Sequence, residues 1–137
     1  MIPAWVEQYV GIPYVAEGAD IARDGGLDCW GLIKLIWRER YGIELPIYDG
    51  PHWKPGADRV AIAIAIQEAV ARYQIVLTGE EREGDGIILR MLGNPLHVGL
   101  VVMPGWMIHS HESAASCVED YRRMAWSRRV LGFRRHV

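Results

Sequence analysis

Two hydrophobic periods divide this chain near its middle, and that division limits its fold more than any other feature. After Asp28, the residues Trp30, Leu32, Ile33, Ile36 and Trp37 recur at helical spacing, with Lys34, Arg38, Glu39 and Arg40 mostly elsewhere on the wheel. Asp28 is a good N-cap and Gly42 a good stop, so a helix is expected between them. A second helix is expected from Asp58 to about Ile75. There Val60, Ile62, Ile64 and Ile66 alternate as in a strand, but the segment runs on without a breaker for longer than strands usually last. From Gly86 onward the pattern is strand-like. Gly86–Met91, Val98–Met103 and Trp106–Ser110 read as strands, with Pro104-Gly105 as a turn, and Cys117–Glu119 and Val130–Arg134 read as further ones. Helices first and antiparallel strands after is an α+β order.

The remaining segments are shorter. Pro3–Val10 reads as a short helix with Trp5, Val6 and Tyr9 on one side, ended by Gly11-Ile12-Pro13-Tyr14. Glu17–Leu27 reads as a loop, and Ile43–Pro55, with three prolines, as irregular. A length of 137 residues fits one domain over 1–137 and can bury a core without a disulfide or a structural metal. The two cysteines, Cys29 and Cys117, do not make a secreted disulfide framework.

A formal net charge of −2 offers no general attraction to nucleic acid. The arginines at 122, 123, 128, 129, 134 and 135 read as solvated strand and turn positions. The N-terminus has no signal-peptide pattern. The apolar run Val60–Leu77 is broken by Gln67, Glu68, Arg72 and Gln74, so no membrane insertion is expected. Synthesis in the cytoplasm follows, with any outside action depending on delivery.

Cys29 stands just after the N-cap. A helix start favours the thiolate through unpaired N–H groups and the helix dipole, and the same N–H groups suit an oxyanion. A bare cysteine is more often a buried core residue, so a base is needed before this reading gains weight. His97 opens one strand of the expected hairpin and His109 ends the other, so the two rings can lie side by side. One would accept the thiol proton and the other would orient it. Alone, these are equally ordinary strand-end histidines. A zinc site from Cys29, His97, His109, His111 and Cys117 lacks any Cys-x-x-Cys or His-x-x-x-His pair. The carboxylates Asp28 with Glu17, or Asp85 with Glu112, are not singled out by spacing as a glycosidase pair.

Taken together, the motifs say more. Gly11-Ile12-Pro13-Tyr14 followed by Asp28-Cys29-Trp30-Gly31-Leu32-Ile33 resembles the start of NlpC-family cell-wall peptidases. The runs Arg38–Pro46, Gly84–Ile88, His97–Val102 and Trp106–Ser110 resemble later parts of the same domains, in order and in spacing. The resemblance implies a papain-like fold, with N-terminal helices packed on a central antiparallel sheet. It implies Cys29 as nucleophile, His97 as general base and later acid, and His109 as the residue that orients His97. It also implies Tyr14 and Trp30 near the thiol as substrate-binding residues, and Asp28 holding the substrate's amino end. His111 is the alternative to His109, which is favoured because a family-like strand precedes it directly. No metal or organic cofactor is implied.

The expected reaction is hydrolysis of peptide bonds in bacterial peptidoglycan stem peptides, between D-glutamate and a diamino acid. Trp30 stands where many relatives have serine and aligns the chain with the phage-tail and prophage branch, with phage tail proteins as partners and the virion tail as location. Glu17 replaces a frequent glycine, and the stretch from about Asp49 to Gly79 is longer than in minimal relatives, so the groove is expected to differ. Two rival functions remain: a non-catalytic part of a phage tail tip, and a related thiol amidase or acyltransferase.

Overall fold

Asp28 starts the central helix by a local bond. In the computed structural model its side chain accepts from the Gly31 N–H at 2.7 Å, and Gly42 ends the helix in the left-handed region at φ 66°. The structure describes residues 1–16, 18–44, 59–91, 94–111 and 114–136. In chain order these hold a 3-10 helix (Ala4–Tyr9), α1 (Ile21–Asp24), α2 (Cys29–Tyr41), α3 (Arg59–Val70), β1 (Gln74–Val76), β2 (Gly86–Met91), β3 (Asn94–Met103), β4 (Trp106–His111), β5 (Ala114–Asp120), α4 (Met124–Ser127) and β6 (Val130–Arg135). The six strands form one antiparallel sheet in the order β1-β6-β2-β3-β4-β5. The fold is α+β, with the helices placed on the sheet as expected from the sequence.

Strand alternation sorts the core into two layers. On one face Leu32, Ile33, Ile36 and Trp37 of α2 and Ile66 and Val70 of α3 pack on Ile88, Val98, Leu100, Val102 and Ile108. On the other, Ile87, Leu89, Val101, Met107 and Phe133 are covered by Tyr121 and by Trp126 of α4. Trp37 ties α2 to the start of β2 through its indole N–H, which donates to the Gly84 carbonyl at 2.9 Å. Beside it the buried Asp85 takes two 2.7 Å bonds from Arg135, locking the start of β2 to the end of β6.

Several element limits differ from the sequence reading. The second helix stops at Val70, and residues 74–76 are the edge strand β1, because Ile75 and Val76 pair with Arg134 and Phe133 of β6. Tertiary pairing outweighs local helical preference there. β3 starts at Asn94 and β4 runs to His111, so His97 and His109 lie inside their strands rather than at the ends. The loop before α2 contains the short α1, capped by Asp20. Residues 45–55 and most of the longer stretch after Asp49 lie outside the described residues. Of the C-terminal arginines, Arg122 pairs with Asp120, Arg135 with Asp85, and Arg129 lies over Trp126. Among the described residues, no helix is long and apolar enough to cross a membrane.

The N-terminal segment closes onto β5. The Gly11 N–H donates to the Ser116 carbonyl at 2.8 Å and the Ser116 N–H to the Ile12 carbonyl at 2.9 Å. The Ser116 hydroxyl accepts from the Ile12 N–H and donates to the Tyr9 carbonyl.

Candidate active site

Cys29 is the first residue of α2 and is buried, and both cysteines are free thiols. The backbone N–H groups of Val98, Trp30 and Cys29 favour its negative form, as expected for a helix start. They are outweighed. Burial first, and the neighbouring Asp28 charge second, push the thiol up to about 12. The helix start thus favours the thiolate, as read from the sequence, while burial and Asp28 oppose it more strongly. The Val98 contact also locates the sulfur. The sulfur faces the N–H of Val98, the residue that follows His97 in β3.

The loop around the helix start fits because of glycines. A Cβ on Gly31 would lie 2.4 Å from the Gly18 carbonyl oxygen, and one on Gly26 would lie 2.2 Å from that of Pro13. The Asp28 N–H donates to Gly18 and the Leu27 N–H to Pro13, so the loop is drawn tightly over α2. Tyr14 bridges Leu27 in parallel and sits half-buried beside the Asp28-Cys29 start. Asp28 is buried and serves as the cap. Trp30 does not line an open site. Its ring is buried against Trp37 and Tyr73, because the helical period that marks Trp30 as apolar also turns it into the core.

The histidines form a chain. His97 Nε2 and His109 Nδ1 are 2.7 Å apart, and His109 Nε2 is 2.5 Å from Glu119 Oε2. Both rings are buried, at 3% and 0% exposure. Gly99 makes this possible. It lies between the two rings on the same sheet face, and a Cβ there would meet the Cβ of His109 and the side chain of Ile87 at 3.2 Å. Trp126 covers the pair, stacked on His97 at 6.1 Å between ring centroids and edge-on to His109 at 4.8 Å.

The acceptors order the protons. With Glu119 as a carboxylate, His109 carries its proton on Nε2 and presents a bare Nδ1. With both rings neutral, His97 then donates from Nε2 and its unprotonated nitrogen is Nδ1.

Sequence reasoning missed Glu119 and Trp126. The first was within reach, because Cys117–Glu119 reads as a strand and residues two apart share a face. In the observed register His109 pairs with Cys117, so Glu119 falls on the His109 side. His111 ends β4 opposite Ala114. Among the described residues the metal-ligand types that converge are His109, Cys117 and Glu119. Asp85 is neutralised by Arg135, and its suggested partner Glu112, like Glu17, lies outside the described residues.

Comparisons place this geometry among known proteins. Residues 11–135 match the family model described as NlpC/P60 family. Among curated proteins, the chain is 25% identical over 131 residues to a gamma-DL-glutamyl hydrolase of Bacillus subtilis, covering 94% of this chain and 27% of that protein. The chain thus spans about a quarter of the length of that relative. An NLP/P60-family protein similar to lipoprotein, from Staphylococcus aureus, superposes with a TM-score of 0.66 at 23% identity over 95% of this chain and 38% of that one. The peptidoglycan hydrolase RipB of Mycobacterium tuberculosis superposes at 0.61 with 21% identity, over 96% and 61%.

Proposed function

Because this chain belongs to the NlpC/P60 family, we propose that it is a cysteine peptidase that hydrolyses amide bonds in bacterial peptidoglycan, with Cys29 as nucleophile, His97 as base and His109 and Glu119 behind it. The observation that carries this reading is the hydrogen-bonded chain from Glu119 through His109 to His97, on a strand whose next residue, Val98, turns its N–H to Cys29. The thiol rests protonated, since burial and Asp28 oppose its anion. His97 Nδ1 takes the thiol proton as sulfur attacks the amide carbonyl. N–H groups at the start of α2 hold the oxyanion, worth about 3 kcal/mol per donor. His97 then protonates the leaving amine and activates water, which releases the acyl group from sulfur.

The finer substrate is a stem peptide cut between D-glutamate and a diamino acid. Support comes from the glutamyl specificity in the name of the Bacillus subtilis relative. Tyr14 lines the site beside the helix start, and the Asp28 charge close to the sulfur suits a substrate ammonium group. Trp30 is left out of the contacts because it is buried. The phage-tail role rests on the Cys29-Trp30-Gly31 sequence and is tested by immunodetection in purified virions.

Incubation with peptidoglycan of several wall chemistries, followed by mass analysis, tests the main reading. Soluble peptides with the diamino acid as their new N-terminus are expected from the native protein and not from Cys29→Ala. A folded protein that releases no fragments from any wall removes the peptidase reading and leaves a structural role.

A further inference from the structure

We propose that His109, Cys117 and Glu119 form a zinc site that switches the peptidase off by reversing the proton order of the histidine chain. The three ligand atoms already converge. Cys117 Sγ is 3.8 Å from His109 Nε2 and 3.9 Å from Glu119 Oε2, and all three atoms lie within 4.8 Å of one another. A tetrahedral Zn2+ with N, S and O ligands holds such atoms roughly 3.3–3.6 Å apart. The sulfur contacts need to shorten by a few tenths of an ångström, and the His109–Glu119 pair to open by less than about 1 Å. Imidazole, thiolate and one carboxylate suit Zn2+ and not Mg2+ or Ca2+, which take oxygen ligands. Cys117 is half-buried and the Glu119 side chain is 38% exposed, so an ion arrives from solvent and keeps a fourth position for water.

Binding has a defined proton balance. The Cys117 thiol loses its proton to solvent and coordinates as thiolate. His109 stays neutral, but Nε2 now holds the metal, so its proton resides on Nδ1. That Nδ1–H donates to His97 Nε2, which must become the acceptor. His97 then carries its own proton on Nδ1, the nitrogen that has to receive the Cys29 proton. Zinc at this distant end thus disables the base without touching the nucleophile. The binding part stands on ligand geometry alone, and the inhibition part rests on the peptidase reading.

Co2+ titration with absorption spectroscopy tests the binding part. The native protein and Cys29→Ser are expected to show a thiolate-to-cobalt charge-transfer band, and Cys117→Ser to lose it, with circular dichroism confirming that each variant is folded. Peptidoglycan release tests the second part. Zn2+ should inhibit the native protein, a chelator should restore it, and Cys117→Ser should keep its basal rate while needing at least about tenfold more zinc for half-inhibition. Cys117→Ala gives the same test if the serine variant does not fold. No cobalt band, or a band that survives Cys117→Ser and disappears in Cys29→Ser, overturns the site. A band without zinc inhibition of an active enzyme overturns the switch. A protein without peptidase activity leaves the cobalt result to decide binding, so the two failures are distinguishable.

Discussion

The two faces of the sheet do different work. The helix face is a thick layer in which α2 and α3 bury large apolar side chains against Val98, Leu100, Val102 and Ile108. The opposite face has a thinner cover, Tyr121 and the short α4, and it carries the polar chain of His97, His109 and Glu119. Cys29 packs with the first layer and the imidazoles lie under Trp126 of the second, with the Val98 N–H, next in the chain after His97, favouring the Cys29 thiolate. The difference shows what a strand offers that a loop does not. Successive residues of one strand serve opposite faces, so a rigid ribbon can hold a dry helix on one side and a hydrogen-bonded relay on the other.

This contrast can be broken experimentally, beginning with the largest effect. His97→Ala should lower hydrolysis by about 10³-fold or more. With the imidazole gone, Cys29 can be alkylated only after direct ionisation. Its iodoacetamide reaction should therefore climb through the neutral range and level off only near pH 12, because burial and Asp28 hold the thiol there. An inflection near pH 8 would show that the sulfur is not in the environment described.

Ile36→Ala, on the helix face, should cost about 2–5 kcal/mol of stability in denaturant unfolding while kcat of the folded fraction stays unchanged. Glu119→Ala should do the reverse, lowering kcat about 10- to 100-fold with little change in melting temperature. If it melts the protein instead, the second face is also structural and the contrast fails. The smallest effect is expected for Asp28→Asn in the His97→Ala background. Asparagine keeps the cap, but the charge that opposes the thiolate is gone, so the alkylation inflection should move down in pH.

What could be read from the sequence follows from how local each signal is. Asp28, the 3.6-residue stripe and Gly42 define α2 within one short segment, and the helix appears with those limits. The β2 limits and the turn at Pro104-Gly105 are equally local. β1 was hidden, because Gln74–Val76 become a strand through β6, far away in the chain. Glu119 was hidden for a related reason, since its role depends on the β4–β5 register. Trp30 carries two conflicting signals, its place beside Cys29 and its place in an apolar stripe, and packing decided for the stripe. At Cys29 the helix start is visible in sequence, but the desolvation of the sulfur atom that outweighs it is not.

The bonds from Gly11 and Ile12 to Ser116 have a consequence beyond holding the N-terminus in place. β5 is, with β1, one of the two outer strands of the sheet, and an open outer strand invites another copy of the chain to add on edge to edge. The short ribbon of residues 11–12 pairs with that margin at Ser116, one residue before Cys117, and takes up hydrogen-bonding groups that another strand would otherwise use. Removing it should expose those groups and favour edge-to-edge association, read as higher oligomers in size-exclusion chromatography.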